Sequence, residues 1–376
     1  MSDATEGALR AQGFERVTDL DDAWRVTGHG AKLRAVRGAA RGLREKILAG
    51  PTAKSVRTLP RTTLAYPSKF AFWSWQHSPA PFVSMTHRTL LVQCSIGGAT
   101  KNILFNPSDV RASRRTPYFA SMIAQIGPMS ALVAREFDPI EAQLEALGLS
   151  CDDVDFVAFD HLHTQDLRPI LGTSDGAIAA KYPNAKLLVP RCEWDDWDDL
   201  HPMQRAWFVP DGKQDVRADR VLFTDGDLKL GDGVYLVRTP GHTSGNQSIV
   251  LKTDTGIWAS SENGVCVDNY NPRASKIPGL ASTAALYGLD YVLNANTPEF
   301  GATQYTSMAL EDALVDRAAD RPEFPQVFSS SEATPVAFAP WLAPTYQHRE
   351  IRHGRVLRRQ SGRDERVAPA TEVASG

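Results

Sequence analysis

Cysteine is scarce in this sequence and scattered: Cys94, Cys151, Cys192 and Cys266 are the four among 376 residues. No pair has the CxxC spacing of a zinc knuckle, and four distant thiols do not make a disulfide framework. They read as free thiols of a reducing compartment. A large excess of charge of either sign is also missing. With 41 Lys and Arg against 44 Asp and Glu, the formal net charge is -3, which removes the electrostatic case for nucleic acid or an anionic membrane as partner. There is no uninterrupted apolar run of about 18 residues, the length of a membrane span. The opening MSDATEGALRAQGFERV lacks the basic flank and apolar core of a signal peptide. These absences lead us to expect a cytoplasmic protein acting on a small molecule.

What is present has the balance of a globular enzyme, with 42% hydrophobic and 23% charged residues. Residues 1–80 carry a helical pattern around LRAVRGAARGLREKILAG and a Pro- and aromatic-rich stretch. They are expected as an N-terminal extension that packs on the main domain, builds a pocket wall or makes a subunit contact. Residues 81–361 are expected as the main domain and 362–376 as a flexible tail. RTLLVQCSI and KNILFNP flank the turn GGAT as a hairpin. FDPIEAQLEALGL has Ile140, Leu144 and Leu147 at helical spacing, with Gly148 placed to end the helix. VDFVAF and AKLLVP read as buried strands, and VLFT and LKL as strands joined by DGD. GVYLVRTP, NQSIVLKT and IWASS follow as strands, then STAALYGLDYVLNA and SMALEDALVDRAADR as helices, and PQVFSSS as a last strand. This order suits an α/β (α+β) fold of two sheets packed face to face with helices outside.

The chemistry concentrates in FDHLHTQDLRP, residues 159–169. In an extended stretch residues i and i+2 point the same way, so His161 and His163 present two imidazoles to one ion. A third comes from RTPGHTSGN, where Pro240 and Gly241 force a turn that leaves His242 at its tip. Three histidines on strand-end loops leave a coordination position open for water or substrate, as catalytic rather than structural zinc sites do. Neutral imidazole suits zinc, iron, manganese or nickel.

GLSCDDVDFVAFDHLHTQD, LFTDGDLKLGDGVYLVRTPGHTSGNQSIVL and IWASSEN together resemble the metallo-β-lactamase superfamily over roughly residues 85–340. The resemblance implies an αββα four-layer sandwich with one or two metal ions at the edge of the sheets. It assigns His161, His163 and His242 to the first metal position, with Glu262 in SSEN where the family has a bridging aspartate. The family pattern HxHxDH reads HLHTQD here: Gln165 stands in place of the second-site aspartate, Asp166 in place of its histidine. A final histidine is missing from the Ser329–Glu332 region. The expectation is therefore one divalent ion per chain, zinc first, with iron or manganese as alternatives. Asp166, Glu262 and Glu332, with or without His348, form the alternative second site. The implied activity is hydrolysis of an ester, lactone, thioester or amide by an activated water, with Asp166 as general base or, alternatively, as the salt-bridge partner of Arg168. Asn263, Tyr270 and Tyr305 are candidate substrate contacts, and Trp73 and Trp75 a candidate aromatic wall. An iron-dependent oxygenase and a ligand-binding relative without turnover stay open as alternatives, as does a homodimer.

Overall fold

The computed structural model describes residues 3–126, 135–335, 337 and 339–358; the expected tail at 362–376 lies outside them. In chain order the strands are β1 (Glu15–Val17), β2 (Ser55–Pro67), β3 (Phe82–Ile96), β4 (Ala99–Phe105), β5 (Phe156–Ala158), β6 (Lys186–Val189) and β7 (Val221–Phe223). They continue as β8 (Asp227–Gly231), β9 (Val234–Arg238), β10 (Gln247–Thr253), β11 (Gly256–Ser260), β12 (Ser331–Thr334) and β13 (Arg352–Gly354). One sheet has the order β1-β8-β9-β10-β11; the other runs β13-β2-β3-β4-β5-β6-β7, with β12 also pairing β3. β4 through β7 are parallel.

Period-two alternation builds the layers. Leu90, Val92, Cys94 and Ile96 of β3 meet Leu228, Leu230, Leu236, Ile249 and Leu251 of the other sheet in the central core. Leu91 and Leu104, together with Val157, point outward, against Ile140 and Leu144 of the helix Ile140–Ala146. On the far side Val237, Val250 and Ile257 are covered by Val36, Ala40, Leu43 and Ile47 of the helix His29–Ala49, and by Met308 and Leu310 of the helix Gly301–Leu314. Each Leu or Ile fully buried on these faces contributes about 1.5–3 kcal/mol. This is the expected αββα arrangement.

Several expectations change. The stretch read as an N-terminal extension is woven into the fold: β1 pairs β8, the helix His29–Ala49 is half of one outer layer, and β2 lies between β13 and β3. DGD is a crossover between sheets rather than a hairpin turn, since β7 and β8 lie in different sheets. The helix expected over STAALYGLDYVLNA stops at Tyr287, where Gly288 takes a left-handed conformation (φ 65). Of PQVFSSS, only Ser331 enters a strand; Val327 makes an isolated parallel bridge to Ala259. The β3–β4 hairpin stands as read, with Gly97 and Gly98 both at positive φ.

Candidate metal centre

His161 and His163 follow the carboxyl end of β5, and His242 follows β9 of the other sheet. Glu193, in the short helix Arg191–Asp196, clamps the two loops together. It accepts the Leu162 N–H on Oε1 (2.8 Å) and the Gly245 N–H on Oε2 (3.1 Å). Asn106 accepts the Asp160 N–H at 3.0 Å and Trp207 the Thr164 N–H at 2.8 Å, which fixes the HxH segment at both ends. The turn before His242 requires glycine: at Gly241 φ is 148, and a Cβ would stand 2.2 Å from Gln304 Cα. Thr297 Oγ1 then donates to the His242 carbonyl at 2.7 Å.

The three buried rings converge, with centroids 4.8 Å (His161–His163), 4.4 Å (His161–His242) and 5.0 Å (His163–His242) apart. His163 Nδ1 and His242 Nε2 face each other at 3.2 Å. One ligand nitrogen from each of the three residues fits within 4.8 Å of the others. Burial opposes charge on every ring, but the Asp160 carboxylate, 2.9 Å from His161 Nδ1, holds His161 up to about 9. Burial, then the neighbouring His161, keeps His163 and His242 well below their ordinary value. Burial pushes the Glu262 carboxyl up to about 7, although His161 opposes the rise.

These residues fit a divalent ion. His242 Nδ1 and Gln165 Oε1 are buried without a hydrogen-bond partner, and among the described residues neither Asp160 nor Glu262 pairs with Lys or Arg. Asp160 orients His161 through Nδ1 and leaves Nε2 as the ligand atom, a carboxylate–histidine arrangement common around metals. Glu262 groups with Asp160 and His161, and its Oε2 is fixed by Ser330 (3.1 Å) and Ser331 (3.2 Å).

The other expected site residues lie elsewhere. Asp166 is gripped by Arg168 Nε (2.9 Å), Arg168 Nη2 (2.7 Å) and Arg115 Nη1 (2.8 Å) and does not line the cavity, so the salt-bridge reading replaces the general-base one. Asp166→Asn is expected to cost about 1.5–3 kcal/mol of stability and to leave metal affinity intact; loss of the ion in a metal assay would return Asp166 to the centre. Asn263 and Tyr270 donate to Glu311, at 3.0 and 2.6 Å, and Tyr305 accepts the Asp290 N–H. None of these three lines the metal cavity. Trp73 stacks on Trp75, and Trp75 on Tyr287, away from that cavity. Glu332 pairs with Arg88 at 2.8 Å.

His348 packs on Trp258 and donates from Nε2 to the Pro325 carbonyl at 2.8 Å, and it does not line the cavity of the three histidines. Burial lowers it to about 4. The unfolded chain takes up this proton near pH 6.5, the folded chain only near 4. The stability at stake is therefore whole above about pH 6.5 and is lost as pH falls through 4, amounting to about 3 kcal/mol at most. Denaturant unfolding between these pH values should show a shallower slope in His348→Asn than in the wild type.

The histidines open into a cavity of about 420 Å³ lined by Leu64, Tyr66, Met85, Phe119, Met122, Ile123 and Trp207, among others. Sequence reasoning missed these residues, and it missed Asp160, Glu193, the cavity-lining His87 and Gln204, whose Oε1 meets His163 Nε2. Only Asp160, adjacent to the HxH pair, carried a local signal.

The chain is similar to the N-acyl homoserine lactonase AttM of Azorhizobium caulinodans, 30% identical over 166 residues, which cover 40% of this chain and 56% of that protein. It is also similar to the protein of the same name from Rhizobium radiobacter, 29% identical over 157 residues, 38% of this chain and 52% of that protein. The chain thus spans about half the length of the curated relatives it matches. Among solved structures it is similar to AidC, a dizinc quorum-quenching lactonase, at 12% identity and TM-score 0.47, covering 86% of this chain and 97% of that one. A probable metal-dependent hydrolase from Staphylococcus aureus has 13% identity and TM-score 0.45, over 68% and 82%. No protein-family model matches the chain. The four layers and the histidine trio agree with the fold and first metal position that the resemblance to the metallo-β-lactamase superfamily implies, and the curated sequence relatives are similar over part of the chain.

Proposed function

We propose that this chain is a metallohydrolase that uses one divalent ion, zinc first, to open a small neutral lactone carrying an apolar group. The observation that carries the reading is the convergence of three buried imidazoles at an apolar cavity of about 420 Å³. The curated relatives, named as lactonases, support a lactone among carbonyl substrates. His161, His163 and His242 would hold the ion, which when bound would supply Lewis acidity toward a carbonyl oxygen and lower the pKa of a water.

The chain's own residues do the rest. Met85, Phe119, Ile123 and Trp207 hold the apolar group and exclude water. Glu262 stands on the cavity wall with one oxygen fixed by serines; we assign it, in place of Asp166, to hold the ion or to take the proton at the reacting oxygen. A count of one ion is supported by the engagement of Asp166, Glu332 and His348 elsewhere. No helix among the described residues is long and apolar enough to cross a membrane. The four cysteines are free, which supports a reducing, cytoplasmic setting.

The test is a panel of lactones of graded side-chain length, assayed with zinc, manganese and ferrous iron. Turnover that rises with apolar length and is lost on chelation is expected. No hydrolysis by metal-loaded protein, with oxygen uptake instead, would transfer the chain to the oxygenase class.

A further inference from the structure

We infer that Gln204 and Glu299 are positioning residues that set the tautomer of His163, and so select Nδ1 as the nitrogen it offers to the metal. The inference rests on the metal reading above. His163 Nε2 lies 2.5 Å from Gln204 Oε1, and Gln204 Nε2 donates to Glu299 Oε1 at 2.7 Å. A carboxylate only accepts hydrogen bonds. It therefore fixes which way the Gln204 amide points, with its NH2 toward Glu299 and its oxygen toward His163. An amide oxygen likewise only accepts, so the proton of the neutral ring sits on Nε2. The lone pair is left on Nδ1, the atom that faces His242 Nε2 at 3.2 Å.

The two residues come from different parts of the chain. Gln204 is buried in the segment before Trp207, and Glu299 sits in the short turn Pro298–Phe300, just before the helix that packs against Gly241. The chain of hydrogen bonds thus ties the HxH loop to the same corner that shapes the His242 turn. Nothing in the HxH pattern signals it. His161 and His163 have different orienting groups, a carboxylate for one and an amide backed by a carboxylate for the other. The amide holds His163 without adding a charge beside the ring.

The experiment compares full-length wild type, Gln204→Met and the paired exchange Gln204→Glu with Glu299→Gln. The exchange reverses the polarity of the link and restores an acceptor to His163. Zinc affinity is measured by chelator competition, and the ring nitrogens of His163 are read by ¹⁵N NMR before zinc is added. Gln204→Met is expected to weaken zinc about 10- to 100-fold and to mix the two tautomers, while the paired exchange returns both readouts to near wild type. Unchanged affinity in Gln204→Met, equal weakening in both variants, or a proton on Nδ1 of wild-type His163 would overturn the inference and leave the metal reading standing. A wild type that binds no zinc would overturn the metal reading, and this inference with it.

Discussion

His161→Ala is expected to lose its bound ion and more than about 100-fold of turnover, since removing a ligand costs more than removing the outer partner that orients it. His161 belongs to both potential ligand groups, the one with His163 and His242 and the one with Asp160 and Glu262. Its loss therefore dismantles the site from either side. The fold should survive, because His161 lies on a loop past β5 and its removal breaks no strand pairing. Metal content, circular dichroism and lactone turnover on the same preparation check this. Retained turnover with retained ion would mean that the histidines are not the centre. Asp160→Asn should fall between, about 10- to 100-fold down, because it removes the carboxylate 2.9 Å from His161 Nδ1 while sparing the ligand.

Glu332→Gln is expected to destabilise the chain by about 3–5 kcal/mol, the cost of leaving a buried charge without its partner. Arg88 is buried with Glu332, donates from Nη2 to the Ser329 carbonyl at 2.6 Å and lies 3.6 Å from the centre of the Phe328 ring. The guanidinium cannot leave for water when the carboxylate is gone. Replacing both together, Arg88→Met with Glu332→Leu, should recover most of the loss, since an apolar pair of similar volume replaces a buried ion pair at little cost. Denaturant unfolding measures both. Metal content should be unchanged in Glu332→Gln; its loss would revive Glu332 as a ligand.

The convergence of the three histidines was legible because each sits in a strong local pattern: a two-residue repeat after an apolar strand, and a histidine behind Pro-Gly. The sandwich was legible because its strands are short apolar runs separated by Gly-containing turns, although β3 and β10 are buried on both faces rather than alternating. Residues 1–80 were misread because a β-strand such as SVRTLPRTTLAYP, with Pro60 at its register break, has the composition of a linker. Only pairing with β3 and β13 makes it central. Asp166 was misread because sequence spacing does not reveal Arg115, which reaches it from 51 residues away. The cavity wall was missed for the same reason: Phe119 and Trp207 meet edge to face only after folding. Asn263 and Tyr270 look exposed in a loop sequence, yet both are spent on a buried network around Glu311.

The most direct test is the number of metal ions per chain, by mass spectrometry on protein purified without added metal, for wild type and His161→Ala. About one ion in the wild type and none in His161→Ala is the predicted result. Two ions would contradict the single-ion site, and none would contradict the metal centre itself.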